Sequence, residues 1–344
     1  VKNTKIEWAH HTFNPWIGCT KVSPACDNCY AEKSMPAKML GVQWGAHAER
    51  RLTSESNRKQ PLRWNAEAEK LGVRYRVFCA SLADVFDNAV PDSWRIDLLD
   101  LIHRTPHLDW LLLTKRIGNA HSMLNRAACN LVGGAPTWWS PEAWPNVWLG
   151  ATICNQEEAD RDIPKLLAVP AAKRFLSMEP LLGPVDLTWI DDGTAHRDVP
   201  REEWGVADDD DSPPGLWWNV LTGDRTIMHG GATGEWSRRD ASIDWAIIGG
   251  ESGPNARPMH PEWVRSLRDQ CQKANVPFLF KQWGEFVPAL SGMWYYPLVG
   301  MPQFTPRASG KDAHDFGGGL GAVHIGKKHA GRLLDGREWN EVPT

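Results

Sequence analysis

Along residues 76–282 short apolar runs alternate with longer amphipathic segments. The runs at 76–79, 109–113, 146–150, 174–178, 245–248 and 277–280 are mostly continuous rather than alternating, the pattern of strands buried on both faces. Segments at 93–104, 119–130, 156–167 and 261–274 have the composition and apolar spacing of helices. Helical crossovers join parallel strands. With a short first strand at 6–8 there are six or seven such units. They predict an α/β fold, a partial or complete parallel (β/α) barrel over residues 1–283. Further helices are expected at 31–40 and at 64–71, the second closed by Gly72.

The rhythm breaks between 188 and 242, a stretch rich in Asp, Gly, Pro and Trp. It reads as an insertion after the fifth strand, ordered in part by Trp204, Trp217, Trp218 and Trp236. Its acidic run, Asp208 to Asp211, lacks the spaced ligands of a calcium loop and reads as a solvated loop. Residues 284–344 read as a C-terminal extension. There Gly317-Gly318-Gly319 is expected to be a flexible loop, since nothing of a phosphate-binding motif accompanies it. Lys327-Lys328-His329, with Arg332, forms a basic stretch.

In (β/α) barrels the reactive groups gather at the C-terminal ends of the strands. This chain puts Ser81, Asp84, Thr114, Lys115, Thr152, Glu179, Glu251, Lys281 and Gln282 there. Each alone reads as a cap or loop residue; together, beside one cysteine loop, they read as a site.

That loop holds three of the seven cysteines, Cys19, Cys26 and Cys29. Thiolates this close in sequence can share one soft metal centre at little loop-closure cost. Closed structural zinc sites and fully Cys-ligated clusters take four protein ligands. Three cysteines therefore leave two readings level. One is a cubane with one iron open to a small molecule; the other is zinc with His10 or His11 as fourth ligand. The odd cysteine count fits reduced thiols better than disulfides.

The net charge of −4 excludes a polycation, so nucleic-acid binding would need a local patch. The most basic region is 45–76, with Arg50, Arg51, Arg58, Lys59, Arg63, Arg74 and Arg76. Tryptophan is abundant, at 20 residues; many will be core, but such rings also stack on bases. Neither a bilayer-spanning apolar run nor the apolar core of a signal peptide is present. The expectation is a cytoplasmic protein without a membrane partner.

Asn14-Pro15-Trp16-Ile17-Gly18-Cys19-Thr20-Lys21-Val22-Ser23-Pro24, with Cys26, Cys29 and Tyr30, resembles the three-cysteine signature of a phage-associated, radical-SAM-like family distantly similar to spore photoproduct lyase. The likeness continues at 81–86, 113–116, 179–185, 249–258, 280–284 and 331–339, nearly the whole chain outside the insertion and parts of the tail. It implies a [4Fe–4S] cluster on Cys19, Cys26 and Cys29, with S-adenosylmethionine on the fourth iron and an external electron donor such as flavodoxin or ferredoxin. In such enzymes a 5′-deoxyadenosyl radical takes a hydrogen atom from the substrate, and the protein supplies placement and exclusion of water.

Two features depart from the wider radical-SAM pattern. The cysteine spacing is six residues and then two, where three and then two is commonest. Gly249-Gly250-Glu251 resembles the motif that holds the methionine amino group but follows the sixth strand instead of the second. Ser81 and Asp84 are the positional equivalents. Tyr30, Thr114 and Lys115 complete the cofactor-binding set so implied, and Glu179, Lys281 and Cys154 the catalytic set. Cys154 has two readings: a thiol packed beside the following helix, or one that faces the barrel mouth and returns a hydrogen atom to a radical. The expected function is a radical-SAM enzyme acting on a nucleic acid or nucleotide, as a repair lyase or base-modifying enzyme. The alternatives are a zinc-stabilised, non-catalytic nucleic-acid-binding protein and a radical enzyme for a peptide or small metabolite.

Overall fold

The computed structural model describes residues 1–131, 136, 138–191, 215–229, 232–236, 241–308, 310 and 312–344. Trp204 and the run Asp208 to Asp211 lie outside them, as does the side chain of Trp236. Seven strands make one sheet: β1 (His11–Phe13), β2 (Tyr75–Cys79), β3 (Leu108–Thr114), β4 (Val147–Thr152), β5 (Lys173–Met178), β6 (Trp245–Gly249) and β7 (Phe278–Gln282). They lie side by side in chain order, every neighbouring pair parallel. Helices α1 (Gln60–Leu71), α2 (Asp92–His103), α3 (Ile117–Cys129), α4 (Gln156–Ala168) and α5 (Pro261–Ala274) match the amphipathic segments. Gly72, at φ 65°, closes α1 in the left-handed conformation that glycine adopts without strain.

The barrel is partial. Among the described residues β1 and β7 do not pair with each other; each edge is covered by a terminus. Thr12 N–H donates to Val1 O (3.0 Å) beside β1. Phe280 N–H donates to Trp339 O (3.0 Å) and Glu341 N–H to Phe278 O (3.3 Å) beside β7. The C-terminal extension thus returns to the barrel, and covering both edges removes an open template for strand addition.

Alternation along each strand sorts side chains to two sides. Val77, Cys79, Trp110, Leu112, Leu149, Leu176, Ala246, Ile248, Phe278 and Phe280 belong to the large core that includes the helices. Phe78, Leu111, Trp148, Phe175, Trp245, Ile247 and Leu279 form a second cluster inside the curve of the sheet. Trp8 joins that inner cluster, with its ring centroid 4.4 Å from Phe78, 6.1 Å from Phe175 and 6.4 Å from Trp245. The strand expected at 6–8 is therefore a turn, closed by Ala9 N–H on Ile6 O. Its indole plugs the half-barrel, a large apolar burial that extended pairing at 6–8 would forgo. Gly150 leaves space for this packing: a Cβ there would lie 2.3 Å from the Phe175 ring.

The helix expected at 31–40 is shorter, Met35–Met39, because Pro36 suits a helix's first turn and not its interior. The described part of the insertion forms an antiparallel sheet of Ile190–Asp191, Gly215–Asn219, Asp224–His229 and Ala232–Trp236. Trp218 is buried there, and Trp217 stacks on Trp189 at 4.8 Å. The extension builds a five-stranded antiparallel sheet. Gly317-Gly318-Gly319 is the tip of its last hairpin rather than an open loop: Gly317 pairs with Leu320, and Gly318 and Gly319 have φ of 62° and 81°. Two consecutive positive φ values are what a tight primed turn asks for. Among the described residues no helix is long and apolar enough to cross a membrane.

Candidate functional site

At the C-terminal end of the sheet lies a cavity of about 370 Å³. Ile6, Trp8, Phe78 and Leu113 line it, and as members of the inner cluster they give it an apolar base. Continuing the strand alternation upward brings Lys115, Thr152, Ser177, Glu179 and Lys281 to its wall. The cysteine loop completes the lining with Cys19, Cys26, Cys29 and Tyr30.

The loop is tied down on several sides. Ser23 caps the short helical turn Pro24–Cys26 by accepting from Ala25 N–H (3.0 Å). Arg50 donates to Thr20 Oγ1 (2.7 Å), Gly45 O and Ala48 O and pairs with Asp87 (2.7 Å). Arg116 donates to Cys19 Sγ (3.4 Å) and Thr20 O (2.8 Å). Tyr30 is exposed, and its hydroxyl donates to Ser81 O (2.9 Å). Asn14, from the signature itself, accepts from Leu82 N–H (2.7 Å) and bonds Ser81 Oγ.

Burial and the nearby Asp84 carboxylate push the Cys19 thiol up to about 11, against the pull of Arg116. Metal binding there would have to displace a proton. Three soft donors on one loop around one cavity are the donor chemistry of a thiolate-bound centre. Among the described residues no three His, Cys, Asp or Glu side chains are already grouped tightly enough to hold an ion. Bringing the thiols onto one centre involves that single loop.

The carboxylates expected to bind cofactor have other work. Asp84 is buried and accepts from Thr114 Oγ1 (2.8 Å), Lys115 N–H (3.0 Å) and Phe86 N–H (2.9 Å), with Arg116 at 3.5 Å. Glu251, also buried, accepts from the Arg257 N–H (2.7 Å) and guanidinium (2.6 Å) and from Asn28 Nδ2 (3.1 Å). Burial raises its pKa, but those bonds outweigh it and the net shift is downward. Arg257 also reaches Asp27 and Pro24 O, so Glu251 anchors the cysteine loop.

Gly250 has its own structural reason. A Cβ there would lie 2.0 Å from Trp283 O, so the close backbone approach is by the chain after β7. Gly249 faces Glu179, whose Cγ and Cδ would be 3.3 Å from such a Cβ. Glu179 accepts from Lys281 Nζ (2.5 Å) and Gln282 Nε2 (2.6 Å). Consecutive residues reach one carboxylate because the ladder slips by one between Ile248–Phe280 and Gly249–Gln282, a bulge that re-aims side chains.

A family profile for proteins of unknown function, DUF5131, matches residues 3–343. The chain belongs to the DUF5131 family. Comparison with curated proteins and with solved structures gives no match.

In this DUF5131 protein three expectations change. Cys154 is fully buried and does not line the cavity. Its N–H donates to Glu158 (3.0 Å) and its thiol lies against Ser23 and Ala25; burial first, then Glu158, pushes that thiol up to about 12. It supports the cysteine loop from behind, so the reading that faced it to the mouth fails. His10 and His11 sit at the N-terminal end of the sheet, where His10 Nδ1 accepts from Arg76 N–H (2.8 Å) and His11 stacks on Trp64 (4.5 Å). Neither lines the cavity. In the basic region 45–76, Arg50 is buried in the loop, Arg74 pairs with Asp109 (2.7 Å) and Arg76 donates to Trp8 O (3.1 Å). Arg50 and Arg76 are thus turned inward, while Arg74, paired with Asp109, stays exposed.

Sequence reasoning did not single out Arg116, Arg257, Asn14 or Ser177. Ser177 had a usable signal, standing two residues before Glu179 on the same side of β5.

Proposed function

We propose that this protein is a radical S-adenosylmethionine enzyme acting on a nucleic acid or nucleotide, with a [4Fe–4S] cluster on Cys19, Cys26 and Cys29. One observation carries the reading: three thiols from one loop line a cavity at the C-terminal ends of parallel strands, and no histidine among the described residues lines it with them. A closed structural zinc site needs a fourth protein ligand, and the histidines expected to supply it, His10 and His11, are engaged at the other end of the sheet. Cys19, Cys26 and Cys29 would hold such a cluster, which with S-adenosylmethionine and an electron from a donor such as flavodoxin or ferredoxin would supply radical chemistry for hydrogen abstraction.

The chain's own residues do the rest. Arg116 keeps a guanidinium beside Cys19 and favours its thiolate. The apolar base of Trp8 and Phe78 excludes water below the reacting groups. Lys281 Nζ holds its proton toward Glu179 Oε2. Asp84, Glu179 and Glu251 are each matched by Arg116, Lys281 and Arg257. Among the described residues the Lys115 ammonium reaches only the Thr152 hydroxyl (3.4 Å), which leaves it for an anionic group on the bound molecule.

The test is anaerobic preparation with assay of iron, sulfide, zinc and release of 5′-deoxyadenosine. About four irons per chain, with cleavage, is expected. One zinc per chain without S-adenosylmethionine binding would overturn the reading.

A further inference from the structure

The C-terminal sheet stands at the rim of the cavity. Its first strand, Phe286–Leu290, follows Glu285, whose N–H donates to Glu251 O (3.1 Å) and whose carboxylate accepts from Gly253 N–H (2.8 Å) and Lys327 N–H (3.1 Å). Lys327 itself lines the cavity.

Residues directly opposite in an antiparallel ladder share a face. Phe286 lies opposite His324, Leu290 opposite both Tyr296 and Leu320, and His314 opposite Ala322. Trp294, two residues before Tyr296, shares that face. The other face, with Ala289, Tyr295 and Val323, is sealed in a small core. On the first face Leu290, Trp294 and Tyr296 are 49%, 48% and 49% exposed, and His314 and His324 are exposed. Phe316 lies 4.7 Å from His314 and 4.7 Å from His260, while Pro288 and Ala322, in the same row as His314, are buried.

Positions 286, 288, 290, 294, 296, 314, 320, 322 and 324 carry no carboxylate; beside them are Glu285, 3.8 Å from His324 Nε2, and Asp312, whose carbonyl accepts from His324 N–H, and the exposed Lys327-Lys328-His329 follows at once. Open rings stack on bases whatever their sequence, while ammonium and imidazole groups meet phosphates. We propose that this sheet face binds single-stranded nucleic acid and leads it to the cavity. That the strand is also the substrate rests on the function proposed above; the binding does not.

The test is fluorescence anisotropy of the full chain with labelled 12-nucleotide DNA and RNA oligomers. Trp294→Ala/Tyr296→Ala should weaken binding by about ten- to a hundred-fold, since each stacked base contributes five-fold or more. Trp294→Phe/Tyr296→Phe keeps the rings and should stay within about three-fold of wild type. Lys327→Gln/Lys328→Gln should lower the slope of log K against log salt by about two. Oligomer affinity that is absent, or unchanged in the double alanine variant, overturns the proposal. So does sedimentation showing that the rings are covered by a second copy or by a protein partner. Iron and 5′-deoxyadenosine assays on the same samples separate the two readings. Cleavage without strand binding sinks this one alone, and strand binding by a zinc protein sinks only the enzyme.

Discussion

Arg50 offers the strongest stability test, because its side chain is 1% exposed and every donor is engaged. Nε and Nη2 hold Asp87 at 2.8 and 2.7 Å, Nη2 also holds Thr20 Oγ1, and Nη1 holds Gly45 O and Ala48 O at 3.0 and 2.6 Å. Asp87 is just as enclosed, at 5%. Arg50→Met keeps most of the apolar stem but strands the carboxylate, to which the backbone Ala89 N–H (3.1 Å) is the donor left among the described residues. Removing one partner of a buried pair costs about 3–5 kcal/mol, mostly the penalty of the charge left behind. Asp87→Asn in the Arg50→Met background removes that charge and should recover about half the loss. Urea unfolding of wild type, both single variants and the double variant gives the coupling energy. Cys19 labelling by a thiol reagent should also quicken in Arg50→Met, since Thr20 loses its tether. A loss under about 1 kcal/mol, or additive single effects, would refute the clamp.

Cys26→Ala should abolish iron retention and Cys154→Ala should keep it; full iron in the first or none in the second, measured on folded protein, contradicts the assignment. Burial, then His10, pushes His11 down to about 4 from its ordinary 6.5. As pH falls from 6.5 to 4 the unfolded chain takes up a proton that the folded chain refuses. Stability should thus drop by on the order of 2–3 kcal/mol over that window and be unaffected by this group above it; urea midpoints of wild type and His11→Phe that fall in parallel would exclude His11 as the source. Gly250→Ala puts a methyl 2.0 Å from Trp283 O and should cost about 3 kcal/mol, the upper part of the overpacking range, so an unchanged thermal midpoint would argue against that backbone approach.

The parallel sheet was legible because β2 to β7 are continuous apolar runs with helical segments between most of them, and the helix at Pro261–Ala274 matches to the residue. The first strand was not. Ile6-Glu7-Trp8 and His11-Thr12-Phe13 are equally strand-like over three residues, and the choice between them is tertiary: the half-barrel needs a plug, and Trp8 supplies it. The arrangement of the basic region was hidden for a related reason. Composition counts charges but does not say which are paired, and Arg50, Arg74 and Arg76 each meet a carboxylate or carbonyl that lies far away in sequence.

The cavity itself could be read further from strand phase than from residue type. Phe175, Ser177 and Glu179 are alternate positions on and just beyond β5, and so are Leu279 and Lys281 on β7; in both the inner side changes from apolar to polar on reaching the mouth. Phase therefore picks out the cavity wall. Strand-end position and motif likeness picked Asp84 and Glu251, and these carry acceptor bonds that leave little capacity for a ligand. Their substitution would act through the loops they hold. Asp84→Asn would trade a charge for an amide beside Arg116 and loosen the strand end at Thr114. Glu251→Gln would weaken the grip of Arg257 on Asp27, two residues before Cys29. Loss of cofactor binding in either variant would thus not identify a cofactor ligand, whereas loss in a variant of Lys115, with no carboxylate partner among the described residues, would.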